Sequence, residues 1–187
     1  MSGIISGDIL IENQNIKKMN LSDISKKIGL VFQEVDNQLF LPTVEAEIAF
    51  SPENFCRPFD EIESIINQTL LLLEIEHLRH KNPSLLSGGE KHLVAMAGVL
   101  SMNPQIIILD EIMPGLDESN KKLVTDTIKH LRDLGKTIIF IDHNIDNLMI
   151  ADYIFLMKNG RIEDKIKGDM DDEHLYNKLT DFFLSQI

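Results

Sequence analysis

The sequence predicts an α/β architecture with a mostly parallel sheet and an inserted helical block, and three observations predict it. Two short apolar runs, residues 106–109 and 137–141, lack the in–out alternation of a half-solvated strand. They read instead as strands buried on both faces, the habit of parallel sheets. Segments of helical periodicity with capping residues separate such runs, which is the pattern of βαβ units. From residue 44 to 100 the periodicity is helical with no strand signal, so this stretch interrupts the α/β core as a block of its own.

In chain order, residues 9–11 and 28–32 are the first predicted strands. Asp60 with Glu63 forms a capping-box pattern, and Ile62, Ile65, Ile66, Thr69, Leu70 and Leu73 then fall on one helix face. Asn82-Pro83 breaks the chain. Ser87 with Glu90 opens the next helix, whose inner face carries Val94, Ala97 and Leu100. After the strand at 106–109, Asp117 caps a helix bearing Leu123, Val124, Ile128 and Leu131, and Gly135 ends it. Residues 153–157 and 161–166 flank Asn159-Gly160, the dipeptide of a tight hairpin turn. The tail from Asp171 is predicted as one amphipathic helix with Leu175, Leu179, Phe182 and Phe183 inward. Residues 1–187 are thus expected to form one domain, with a helical subdomain at 44–100 and a helical tail at 168–187. Hinges are expected near 33–42 and 101–105.

The 187 residues are 43% hydrophobic, enough for a sizeable core. Thirty acids against 18 lysines and arginines give a net charge of -12, which repels phosphate backbones and anionic lipid. Nucleic acid is therefore excluded as the expected partner, and so is direct adsorption to membrane. No apolar run reaches the roughly 18 to 20 residues of a membrane span, and the first residues lack the basic-then-apolar order of a signal peptide. A cytosolic chain is expected, its membrane contact made through another protein. The lone Cys56 permits neither an internal disulfide nor a thiolate zinc cage and is expected to be an inert, at least half-buried thiol.

Chemistry concentrates at a few points. The strand at 106–109 runs into Asp110-Glu111, placing two carboxylates at the carboxyl end of a buried strand, the edge where open α/β sheets bind ligands. An aspartate there can hold Mg²⁺, and the following acid can orient a nucleophilic water. The same residues also make an ordinary solvated acidic turn. Leu86-Ser87-Gly88-Gly89-Glu90 combines an N-cap, two glycines that let a phosphate approach the backbone, and a helix N-terminus, which together form an anion site. Read plainly it is a capping box after a flexible loop. Gln33 and His143 each follow a predicted strand, where an amide can touch metal or water and an imidazole a terminal phosphate.

Order and spacing join these points. Gln33, then Leu86 to Gly89, then Asp110-Glu111, then Gly115-Leu116-Asp117, then His143 resembles the ABC ATPase series of Q-loop, LSGG signature, Walker B, D-loop and H-loop. The likeness spans nearly all of residues 6–168. Within that family, Phe32-Gln33, the run from Asp36 to Phe40, Pro42 to Glu45, Ala49-Phe50 and Pro52-Glu53-Asn54 look like the ATPase subunits of energy-coupling factor importers. So do residues 95–100 and 135–139. The resemblance implies a P-loop NTPase-like core with ATP and Mg²⁺ as cofactors. It implies Glu111 and His143 as catalytic residues, and Asp110 with the Q-loop Gln33 at the metal. Ser87, Gly88, Gly89 and Glu90, with the D-loop Asp117, would then bear on a nucleotide held by a second ABC ATPase subunit. A transmembrane coupling subunit would anchor the assembly to the inner face of the cell membrane.

One expected string is missing. No G-x-x-x-x-G-K-[ST] occurs, and Gly135-Lys136-Thr137 is a decoy, because it precedes a strand and His130 stands where the first glycine belongs. The chain is therefore expected to begin inside the helix after the P-loop, to lack the strands before it, and to be inactive alone. The missing strands are expected to leave apolar ladder edges bare beside residues 106–109 and 138–141. Smaller departures from the family pattern are Ile112-Met113-Pro114 in the Walker B to D-loop turn, Glu90 for a glutamine, Leu93 for an arginine and Asp142 for a threonine. Three expectations follow: an importer ATPase subunit that is incomplete, a non-catalytic partner supplying its signature in trans, or the product of a truncated or frameshifted gene.

Overall fold

The two apolar runs pair side by side at the centre of the molecule. The computed structural model describes residues 6–168 and 172–184. In it β3 (Ile28–Val31), β4 (Ile106–Asp110) and β5 (Thr137–Ile141) form a parallel sheet in that order. The register sets Gly29, Ile107 and Ile138 in one row and Val31, Leu109 and Phe140 in another. Before them, β1 (Leu10–Ile11) and β2 (Gln14–Asn15) make a two-residue hairpin, and α1 (Leu21–Lys27) is capped by Asn20, whose side chain accepts from Asp23 N–H.

Between β3 and β4 lie α2 (Val44–Asn54), α3 (Phe59–Leu72) and α4 (Gly88–Leu100), and between β4 and β5 lies α5 (Glu118–Asp133). Parallel crossovers are right-handed, and both of these step the same way across the sheet. Their helices therefore stack on one face. Val31, Ile107 and Leu109 are buried in one cluster with Val94 and Ala97 of α4 and Val124, Ile128 and Leu131 of α5, with Ile138 and Phe140 packed against it. A Cβ on Gly29 would lie 2.3 Å from Val99 Cγ1, so α4 rides on β3 with no room for a side chain between them. After α6 (Ile145–Leu148), β6 (Tyr153–Lys158) and β7 (Arg161–Lys167) form the expected hairpin. With α7 (Asp172–Leu184) they enclose a second cluster of Leu148, Ile154, Leu156, Ile166, Leu175 and Leu179. Phe182 and Phe183 pack on it, as expected of the tail.

Four expectations are corrected. Residues 106–109 and 137–141 are not buried on both faces: Ile107 and Leu109 are buried but Ile106 and Ile108 only half-buried, and Thr137, Ile139 and Ile141 are exposed, because the helices of both crossovers stack on one face. Asp60 is not an N-cap: α3 begins at Phe59, directly after Pro58, with no side-chain cap, and Asp60 sits in the first turn where its charge suits the helix dipole. Cys56 is exposed, at a φ of 54° where the chain leaves α2, because the turn that ends the helix carries it outward. Residues 106–109 have no bare ladder edge, since β4 is hydrogen-bonded on both sides; among the described residues β3 and β5 are the outer strands of this sheet.

Arg79 ties the helical block together. Its guanidinium donates to Glu45 of α2 at 2.7 Å and to Glu63 and Asn67 of α3 at 2.8 and 2.6 Å. This holds the Glu45 carboxyl below its ordinary value of 4.5, chiefly through the Arg79 hydrogen bond. A depressed carboxylate contributes stability that is present above pH 4.5 and lost as the pH falls through the lowered value. Arg79→Met is therefore expected to flatten the acid limb of the urea-unfolding free energy plotted against pH. An unchanged slope below pH 4.5 counts against the network.

Candidate functional site

Three strand ends meet at the carboxyl edge of the sheet. β3 runs into Phe32-Gln33, β4 ends on Asp110 before Glu111, and β5 runs into Asp142-His143. Gln33 Nε2 donates to Glu111 Oε2 at 2.7 Å, so two residues 78 positions apart are in direct contact. Glu111 adopts a φ of 48°, a left-handed conformation that costs about 1 kcal/mol for a residue with a Cβ. Its N–H donates to Ile141 O at 3.0 Å, which pins the turn to the end of β5. Asp110 is half-buried beside it. His143 lies on the same edge, exposed and two residues past β5, and among the described residues no hydrogen bond or ion pair joins it to the Gln33–Glu111 pair. Asp142 is turned to local use, its carboxylate accepting Asn144 N–H at 2.7 Å and Asn147 Nδ2 at 2.9 Å.

The second set of residues is the start of α4. Ser87 caps it through Glu90 N–H, and Glu90 returns the bond by accepting Ser87 N–H at 2.8 Å, a complete capping box. The Ser87 backbone bond, first, and the Ser87 hydroxyl hold the Glu90 carboxyl below its usual range. Ser87 and Gly88 are exposed, and a Cβ on Gly88 would meet nothing within 4 Å. Gly89 is buried, its Cβ position 3.3 Å from Gly115 O, and a Cβ on Gly115 would strike the His92 ring at 2.8 Å. Asp117 caps α5 by accepting Asn120 N–H. The signature glycines and the Gly115–Asp117 turn therefore form one continuous surface. Among the described residues no hydrogen bond or ion pair joins Ser87 to Glu90 with Gln33, Asp110, Glu111 or His143.

Several positioning residues had little or no sequence signal. Gln38 clamps the segment after β3, accepting Phe32 N–H and donating to Leu30 O. Lys91 Nζ meets Asp36 Oδ1 at 2.6 Å, linking that segment to α4. Glu47, 7% exposed, accepts the N–H groups of both Phe40 and Leu41 at 2.5 Å. Gln38 and Asp36 lay in the run that carried the family likeness; nothing in the periodicity of α2 marks Glu47 as a ligand of that loop.

Asp110 and Gln33 offer oxygen donors, the chemistry Mg²⁺ prefers, and among the described residues no group of three acids, histidines or cysteines is arranged for a metal.

Comparison with known proteins gives a consistent result. A family model described as ABC transporter matches residues 2–113. The chain is 40% identical over 159 residues to the energy-coupling factor transporter ATP-binding protein EcfA of Methanoculleus marisnigri, covering 84% of this chain and 57% of the relative. It is 41% identical over 159 residues to an energy-coupling factor ATP-binding protein of Streptococcus mutans, with the same two coverages. The chain thus spans a little over half the length of these relatives. Among solved structures, cbiO1 from Clostridium perfringens, part of the ABC transporter complex cbiONQ, superposes with a TM-score of 0.80 and 34% identity. That match covers 97% of this chain and 77% of the other. The dimeric bacterial ABC transporter cassette MJ0796 gives 0.78 at 26% identity, over 88% of this chain and 75% of that one.

Proposed function

The chain belongs to the ABC transporter family, and on that premise we propose that it serves as an ATP-binding subunit of an energy-coupling factor importer, working beside a second ABC ATPase subunit. The observation that carries this reading is the start of α4. It presents an exposed, fully capped helix N-terminus at Ser87-Gly88-Gly89 with the Asp117 turn packed against it, a surface shaped to close over phosphates held by another subunit. The helices of residues 44–100 act as the subdomain that carries this surface.

On the chain's own side, Asp110 and Gln33 would hold Mg²⁺, which supplies charge neutralisation to phosphate when bound. Glu111 would take a proton from water, and the exposed His143 would touch a terminal phosphate. The hydrogen bond between them keeps the Gln33 amide and the Glu111 carboxylate engaged with each other in this structure. A second, narrower reading is a non-catalytic partner that supplies its signature in trans, and the separation of Ser87 to Glu90 from the Gln33–Glu111 pair favours it. Phe40 and Phe50, exposed and stacked edge to face at 5.1 Å, form an apolar knob suited to the transmembrane coupling subunit, through which the assembly sits on the inner face of the membrane.

The test is to titrate the chain into a complete ABC ATPase subunit and follow phosphate release. Turnover should rise to saturation with the added chain, and no rise overturns the reading. Calorimetry of the chain alone with MgATP is expected to show affinity no tighter than about millimolar, because backbone amides and a lysine are the main anchors of a triphosphate. Micromolar binding would contradict the narrower reading.

A further inference from the structure

His92 joins the start of α4 to the turn that leads into α5. Its Nδ1 lies 2.8 Å from Gly88 O, one turn back along the same helix. A carbonyl only accepts, so Nδ1 carries the proton and the ring is held as a donor to that oxygen. The same half-buried ring covers Gly115. A Cβ built on Gly115 would lie 2.8 Å from His92 Cε1, 3.1 Å from Nδ1 and 3.7 Å from Nε2, and these are its three nearest atoms. Gly115 is not among the glycines of positive φ, so its backbone suits any residue and the imidazole alone shuts out a side chain. Two residues on, Asp117 caps α5.

Peptide planarity carries this tether to the helix end. The Gly88 carbonyl and the Gly89 N–H belong to one rigid trans unit and point in opposite directions. Ser87 takes the Glu90 N–H, which leaves the Gly88 and Gly89 amides of the first turn for a ligand. The Gly89 N–H takes its direction from the unit whose oxygen His92 holds. Two adjacent glycines give this backbone more freedom than any other pair of residues, so a side-chain tether matters here.

We propose that His92 is a positioning residue: it fixes the Gly88–Gly89 peptide and seats it on the Gly115 turn, so that the signature amides and Asp117 close as one body on a phosphate held by the partner. This role presupposes that the chain supplies this surface to a second ATPase subunit, as proposed above. The ring acts through the backbone and does not itself touch the nucleotide.

The test adds variants of the full chain to a complete ABC ATPase subunit and follows phosphate release as the chain concentration rises. His92→Ala is expected to lower the saturating rate about tenfold and to leave the half-saturating concentration within about twofold, because geometry is lost and assembly is not. His92→Asn sets an amide donor on the same side-chain atom position as Nδ1 and should restore the rate to within about threefold. His92→Phe keeps the bulk without the donor and should behave as alanine does. In the chain alone, Gly115→Ala should lower the urea midpoint when His92 is present and leave it unchanged in the His92→Ala background, since only the ring obstructs the new methyl. An undiminished rate with His92→Ala overturns the role. So do equal losses with alanine and asparagine, which would make His92 a packing residue only. An equal cost of Gly115→Ala in both backgrounds removes the contact on which the role depends. A parent chain that stimulates no turnover removes the reading in trans and this role with it, a result distinct from a stimulating parent whose His92 variants match it.

Discussion

Gly88→Val in this chain is expected to lower the ATPase rate of a complete partner subunit by about 100-fold, the scale of losing an oriented donor at a developing charge. Glu111→Gln should leave that rate within about twofold. The contrast rests on which surface each residue serves. Gly88 opens α4 at its exposed N-terminus, and a side chain there would stand between the helix end and an approaching phosphate. A Cβ at Gly88 meets nothing within 4 Å, so the substitution leaves this chain's own fold intact. Gly89 would be a poorer choice, because its Cβ would press on Gly115 and disturb the Asp117 turn as well. Glu111 is bound to Gln33 at the other set of residues. Steady-state phosphate release with each variant decides the matter. Equal, large losses would mean that this chain's own site turns over. No loss from either would remove the role in trans.

Glu47→Ala is expected to cost about 3 kcal/mol of unfolding free energy, the sum of two hydrogen bonds to a buried charge at about 1.5 kcal/mol each. The carboxylate lies in the first turn of α2 and holds the loop after β3 by the amides of Phe40 and Leu41. With alanine both amides lose their acceptor, and the Phe40–Phe50 pair loses its support. Both amides donate to the same oxygen, so Glu47→Gln keeps both hydrogen bonds without the charge and should cost about half as much. Urea unfolding should show the midpoint falling with an unchanged slope. A midpoint like that of the parent protein would mean that water satisfies the two amides.

The parallel strands and their helices were legible because each carries a local signature. A run such as residues 106–109 reads as a strand of a parallel sheet, although only Ile107 and Leu109 of it are buried, and Ser87 with Glu90 or Asp117 with Asn120 closes a cap within four residues. The candidate site was legible as an order of motifs along the chain. The contact between Gln33 and Glu111 was not, since it depends on β3 and β4 being neighbours in the sheet. Asp60 misled because a capping-box spacing also arises inside a first turn, and Pro58 had already set the start of the helix. Cys56 misled because apolar composition says nothing of a residue at the turn that ends a helix. Glu47, Lys91 and His92 act across elements, on Phe40, Asp36 and the surroundings of Gly115, and no periodicity encodes a partner at that distance.

The interior divides into two clusters that are consecutive in the sequence, one drawn from residues 31–131 and the other from 148–179. A nascent chain emerging from the ribosome can therefore complete the first before the second has been synthesised, since domains fold as units from the amino end. Growth of the sheet follows the same order, β3 then β4 then β5, each strand arriving beside the one already laid down. The side of the sheet on which Ile139 and Ile141 are exposed reaches its full width only when β5 has docked.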